Sequence, residues 1–213
     1  DLTTVPRGHD LARVSDNSAV YCFDENNIYM GCVVAFFTEG AMMFSEVQRV
    51  IEGDTDWRYC NTVDNYDDAD ATTALACGKN LTIWDCRVLV FDETKHAILN
   101  SSGSSNVSVG TLPVLLRSTD GVFCEESQFG AYRFVVCTRL VVDLDQVTLS
   151  ASSSRVSVSL GDGVSTVLAL DNSTALVTFN DDADHGQVRS VALTNVAPTC
   201  PDIQGCSNVV YTD

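Results

Sequence analysis

The chain has 213 residues, 45% of them hydrophobic, with 12 Lys and Arg against 29 Asp and Glu for a formal charge of −17. That is long enough to bury a core and too apolar to stay disordered. The charge repels phosphate backbones and anionic lipid, so nucleic acid is excluded as a partner. No apolar run approaches the ~20 residues of a membrane helix, and the densest, Val33 to Phe37, is strand-sized; membrane insertion is not expected.

Residues 1–14 contain Pro6 and Gly8 and are expected to form an N-terminal arm, a candidate donor strand. Residues 15–110 read as a disulfide-bearing, β-rich part and residues 111–213 as an antiparallel sandwich part, the two forming either separate units or one composite domain. In the first part, residues 20–23 and 31–37 read as strands. Apolar residues at Met43, Phe44, Val47, Val50 and Ile51 fit one face of a helix over 42–51. Residues 64–73 are polar and acidic, hence loop or short helix. Residues 81–91 read as a strand, and Ser101 to Ser105 as an exposed loop.

The second part is more regular. Residues 112–116 and 122–124 are strand-like. Over 131–144, Tyr132, Phe134, Val136, Leu140, Val142 and Leu144 alternate with polar residues, the period of a half-buried strand. A bend is expected near Asp143 to Asp145, because the run exceeds one average strand. Further strands are expected at 154–160, 164–170, 174–179 and 187–194. Gly161-Asp162-Gly163 suits a tight hairpin, and Asp171-Asn172-Ser173 a second short turn. Strands at this spacing predict a mainly β fold: an antiparallel β-sandwich, Ig-like or jelly-roll-like, with one short helix in the N-terminal half. No internal repeat is evident.

Nine cysteines, Cys22, Cys32, Cys60, Cys77, Cys86, Cys124, Cys137, Cys200 and Cys206, point to an oxidising compartment. Zinc is the weaker reading, because no pair has knuckle spacing and His9, His96 and His185 are scattered. Cys124 with Cys137 would staple a hairpin, and Cys200 with Cys206 would close a small loop. An odd total leaves one thiol free or joined to another chain. The chain opens at Asp1, as a secreted product whose signal has been removed would. Sequons at Asn80, Asn100, Asn106 and Asn172 predict N-linked glycans. Secretion to the extracellular surface is expected.

Sites for chemistry are sparse. Each histidine lacks a recognisable nucleophile beside it, and Glu125-Glu126 are adjacent, so they point apart and make a poor acid/base pair. Asn180, Asp182 and Asp184 place oxygens at alternate positions ahead of Gly186, a candidate calcium loop, and Asp64 to Asp70 is similar. Neither matches an EF-hand, and no other cofactor is expected. No phosphate-binding loop is present. Trp57, Tyr59 and Tyr66, near Asp54, Asp56 and Asp64, are a candidate sugar platform, with core packing favoured.

The chain is therefore expected not to be an enzyme. The first reading is a structural or adhesive glycoprotein subunit that self-associates with identical subunits. It would form a filament or surface layer by strand addition through the arm or the uncharged segment Ser207 to Thr212. The alternatives are the ectodomain of a viral or cell-surface attachment glycoprotein, and a secreted carbohydrate-binding module.

Overall fold

The computed structural model describes residues 9–25, 28–52, 57–62, 72–80, 83–102, 112–130, 132–180 and 186–192. They form sixteen strands in four antiparallel sheets, with no helix among them. The first sheet holds β1 (His9–Ser15), β2 (Ser18–Glu25), β3 (Tyr29–Thr38), β4 (Ala41–Phe44) and β5 (Gln48–Glu52). The second holds β6 (Trp57–Thr62), β7 (Thr73–Asn80), β8 (Ile83–Phe91) and β9 (Ile98–Ser101). The third holds β10 (Val114–Arg117), β11 (Asp120–Phe129), β12 (Tyr132–Asp143) and β13 (Thr148–Leu160). The fourth holds β14 (Asp162–Ala169), β15 (Thr174–Asn180) and β16 (Gly186–Ala192). Each sheet is an up-and-down meander of strands consecutive in sequence.

This corrects the sandwich. A sandwich has one core between two sheets; here three cores lie between four sheets taken in order. The first strands of successive sheets, β1, β6, β10 and β14, touch one another, so they lie innermost and the last strands outermost. The sheets are arranged as the blades of a four-blade β-propeller. None of the three cores contains residues of both the first and the fourth blade.

The predicted helix over 42–51 is also corrected. β4 and β5 both pair with β3, and together they make one fourth strand broken at Ser45 to Val47. The break shifts the alternation phase, and two strand fragments out of phase mimic a helical spacing. At the break, Ser45 N–H donates to Val34 O and Val34 N–H donates to Ser45 Oγ, each at 2.9 Å. The second blade repeats the device: Ser102 N–H donates to Val88 O and Val88 N–H to Ser102 Oγ, again at 2.9 Å. A hydroxyl thus replaces the carbonyl that the strand break removes, and the N–H groups of Val34 and Val88 stay satisfied at the breaks.

Gly161-Asp162-Gly163 is not a hairpin, because β13 and β14 belong to different blades. Gly161 carries the chain between them at φ 153°, where a Cβ would lie 2.2 Å from Asn180 O. Residues 9–14 of the expected arm form β1 and pair with β2 in the chain's own first blade. The segment 207–212 and most of the 100–110 boundary lie outside the described residues.

The blades share one register. Disulfides Cys22–Cys32, Cys77–Cys86 and Cys124–Cys137 each join the second and third strands of a blade at Cα separations of 4.0–4.1 Å. Such separations mark directly opposed, non-hydrogen-bonded pairs. Four residues before the first cysteine, the pairing is again equivalent: Ser18 with Phe36, Thr73 with Val90, Asp120 with Val141. The fourth blade keeps the frame, with Thr178 opposite Val188 and Thr174 opposite Ala192. A motif follows from this alignment: Ser18-Ala-Val-Tyr-Cys22, Thr73-Ala-Leu-Ala-Cys77, Asp120-Gly-Val-Phe-Cys124 and Thr174-Ala-Leu-Val-Thr178. The chain does contain an internal repeat, contrary to the sequence reading.

Candidate functional site

Each blade has two faces, and the disulfides tell them apart. Cys22 and Cys32 face the core shared with the second blade. Cys77 and Cys86 face the core shared with the third, and Cys124 and Cys137 the core shared with the fourth. The opposite face of each blade packs back on its predecessor, through Ala74, Ala76 and Leu89 in the second, Leu115, Phe123 and Leu140 in the third, and Ala175, Val177 and Phe179 in the fourth. Every junction therefore sets a leading, cysteine-bearing face against a trailing face.

The trailing face of the first blade has no predecessor among the described residues. Register aligns Leu11, Tyr21 and Val33 in one row, and Arg13, Ala19, Ala35 and Phe44 in another, with Phe37 and Met42 paired beyond them. Leu11 is 61% exposed, Phe37 54% and Phe44 60%. The hairpin carrying the last two is made by Glu39 and Gly40, both at positive φ (51° and 80°), the conformation of the tight turn that matches strand twist. Tyr21 and Phe23 stack at 5.5 Å between centroids. Val47 completes the apolar surface, within 3.0 Å of where a Cβ on Gly31 would lie.

Charge is confined to the margins. Arg49 donates to both oxygens of Glu25, at 2.7 and 2.8 Å, and its guanidinium lies 4.8 Å from the Tyr29 ring centroid. The hydrogen bond from Arg49 holds the Glu25 carboxyl below its usual range, and the same contact raises Arg49. Arg13 pairs with Asp16 at the opposite corner. Aromatic and Met side chains with Arg at the edge are the composition of protein–protein interface centres.

The residues singled out from sequence fall elsewhere. Asn100 is exposed on β9, and its side-chain oxygen accepts from Ser101 N–H at 2.8 Å. Asn172 sits in the exposed β14–β15 turn, where its carbonyl accepts from Arg117 Nε at 2.7 Å. Asn80 ends β7. Asn180 ends β15, but Asp182, Asp184, Asn106, Cys200, Cys206, His185, Tyr66 and the 64–70 loop lie outside the described residues, as do the side chains of His9, Trp57 and Tyr59. Among the described residues no cluster of three or more His, Cys, Asp or Glu is arranged to hold a metal. Glu125 and Glu126 are drawn apart to Arg155 (3.6 Å) and Arg133 (3.5 Å). His96 stacks flat on Phe36 at 4.1 Å, and so links the second blade to the first. Below it, burial pushes the Asp92 carboxyl up, but bonds from Thr94 Oγ1 and from the N–H groups of Ala97 and His96 hold it lower than usual.

Cys60 is a buried free thiol in the core between the first two blades. Burial first, then the nearby Asp10 carboxylate, pushes its pKa up to about 12, the opposite of what a reactive thiol needs. Asp10 also accepts from the Cys60 N–H at 3.1 Å, and so joins β1 to β6.

The trailing-face residues Phe37, Met42 and Phe44 were missed by sequence reasoning. Their signal was present: apolar pairs at 36–37 and 42–44 flanking Thr38-Glu39-Gly40-Ala41, a turn.

No protein-family model matches the chain, and no curated protein matches it. The solved structures that are similar include the following three. A protein from Lactobacillus plantarum has a TM-score of 0.45 and 11% identity, over 91% of this chain and 57% of that one. Proteins from Bacteroides uniformis ATCC 8492 and Bacteroides fragilis NCTC 9343 are each described as "a putative 6-phosphogluconolactonase". They have TM-scores of 0.41 and 0.45 and identities of 10% and 11%, over 89% and 92% of this chain and 68% and 58% of theirs. The chain thus spans under three-fifths of the length of two of the three. Two expectations are corrected here. A sandwich-built structural, filament-forming cell-adhesion protein does not stand against a blade array. Nor is the exclusion of catalysis kept; the enzyme description belongs to two of the similar structures and is said of those proteins alone.

Proposed function

We propose that the chain is an extracellular recognition module, part of a surface or secreted glycoprotein, that docks a protein partner on the trailing face of its first blade. One observation carries this reading: a contiguous apolar and aromatic surface around Phe37, Met42 and Phe44, left open among the described residues of a chain of charge −17. Open apolar patches of this kind on soluble proteins mark interaction sites. The hairpin disulfides fit an oxidising compartment. No sequon precedes Asn80, so glycans would decorate the later blades and their connections and leave the first bare.

Radical footprinting read by mass spectrometry tests this on the chain in unfractionated native material and on the purified chain at high dilution. Met42 and Phe44 should oxidise several-fold more slowly in the native material. Equal oxidation in both would count against docking at this face.

A further inference from the structure

We infer that Asn100 is a glycan acceptor only while β9 is undocked, so that folding of the second blade closes the site. The inference rests on the glycoprotein reading above, not on docking at the first blade, and adds which state of the chain is modified.

A transferase acting on Asn100-Ser101-Ser102 must reach the carboxamide of the first residue and the hydroxyl of the third, because the motif specifies both. The fold treats the two differently. Asn100 is exposed, and its Oδ1 accepts from Ser101 N–H at 2.8 Å, a bond that a sugar on Nδ2 would not remove. Ser102 is 5% exposed. Its Oγ accepts from Val88 N–H and its own N–H donates to Val88 O, each at 2.9 Å. Asn100 and Ser101 are paired with Val90 and Leu89 in the same ladder. The acceptor residue is at the surface while the hydroxyl that qualifies it is locked in the blade. A glycan fits on folded β9, but the reaction that would attach it there does not.

The lock also closes early. β9 pairs with β8, and Ile98 packs against the core between the first two blades, every buried member of which precedes residue 98. These contacts require nothing later in the chain. A hairpin closes in about 1–10 µs, whereas a chain grows by about 5–20 residues per second. Ser102 thus has two duties at different times. Before docking, its hydroxyl makes Asn100 an acceptor; after docking, it satisfies Val88.

Transfer forms a bond from Asn100 Nδ2 to the anomeric carbon of an oligosaccharide and breaks that carbon's bond to a lipid pyrophosphate. The pyrophosphate leaves with the electron pair, and Nδ2 gives up one proton.

The test uses the unglycosylated full chain, folded with its bridges closed, beside the same chain reduced, alkylated and unfolded by circular dichroism. Each is incubated with purified oligosaccharyltransferase and a lipid-pyrophosphate oligosaccharide. Enzymatic release then converts each glycosylated Asn to Asp, and mass spectrometry reads position 100. The folded chain should react more slowly by about 30-fold or more, because the bonds at Ser102 and the β9 pairing must open first. Ile98→Asp removes the apolar anchor of β9 and leaves the sequon intact; Ile98→Gly serves if the first variant does not fold. With circular dichroism matching the wild type, either should bring the rate at Asn100 close to that of the unfolded chain. Amide exchange at Ser102 reads docking in each sample.

Equal rates on the folded and unfolded wild type overturn the inference and leave the glycoprotein reading standing. No modification of Asn100 in either state overturns it and counts against the glycoprotein reading at this site. A variant whose Ser102 amide exchanges freely while Asn100 stays unmodified overturns the gate. Footprinting of the first blade is independent of all three outcomes.

Discussion

Thr178→Cys with Val188→Cys should close a fourth hairpin disulfide that the chain itself lacks. The two residues are directly opposed in the fourth blade, at the register occupied by cysteines in the other three, and they are ten residues apart, as are Cys22 and Cys32. Loop-closure entropy for about 11 residues gives a gain of about 2.8 kcal/mol, an upper value because strain in the native hairpin subtracts from it. If the four blades melt together, that corresponds to roughly 5–10 °C in Tm. The assay is a melt of oxidised against reduced variant, alongside thiol counting by mass under native conditions. Two thiols still free after oxidation that leaves the three native bridges closed would refute the argument, because they would show that the fourth blade does not share the register of the others.

Four further outcomes follow from the same structure. Cys60→Ala should remove an alkaline instability: the folded thiol, pushed up to about 12 from an ordinary value of 9.0, contributes its full stability below pH 9 and loses it between 9 and 12. The difference between wild type and variant in urea melts over that window should approach, as a ceiling, roughly 4 kcal/mol. Ser102→Ala leaves the buried Val88 N–H without its acceptor and should cost about 1–3 kcal/mol by the same melts; unglycosylated material avoids the simultaneous loss of the Asn100 sequon. Thr138→Val should stabilise by about 1 kcal/mol, since the Thr138 hydroxyl is buried with no partner among the described residues. Arg139→Ala should destabilise by about 2 kcal/mol, because Asp120 is buried and Arg139 is its ion-pair partner; the value is set below that of a fully buried pair because Arg139 is partly exposed.

Strand content was legible in the chain because alternation is a local signal. The segments expected at 154–160, 164–170, 174–179 and 187–194 coincide closely with parts of β13 to β16. Their assembly was not legible. A propeller blade and half a sandwich show the same alternation and the same turns; what differs is which sheet the next strand joins, and that is decided by cores formed at long range. Gly161 shows the difficulty: a glycine between two strands reads as a hairpin, yet here the chain leaves one blade and enters the next. The repeat stayed hidden for a related reason. Its common part is five residues long, its spacing runs 55, 47 and 54 from Cys22 to Cys77, Cys124 and Thr178, and its last copy has Thr in place of Cys. The broken strand at Ser45 to Val47 converted two correct strand phases into one false helix.

The trailing face was overlooked because individual exposed Phe or Met residues are unremarkable in a sequence. Only the register of β1 to β4 places Leu11, Tyr21, Phe37, Met42 and Phe44, drawn from four strands, on one side of one sheet.

Each described crosslink closes a hairpin within its own blade, and none ties one blade to another. A tensile load between the chain ends would therefore meet the apolar seams and the few hydrogen bonds between blades before peeling a blade away, and these three bridges would not hold the stack shut. Each bridge would instead withhold the residues inside its loop, about 30–45 Å of contour at the extended length per residue. Under tension the module would lengthen in discrete, recoverable steps, and a reducing environment would make each step longer without making it start sooner.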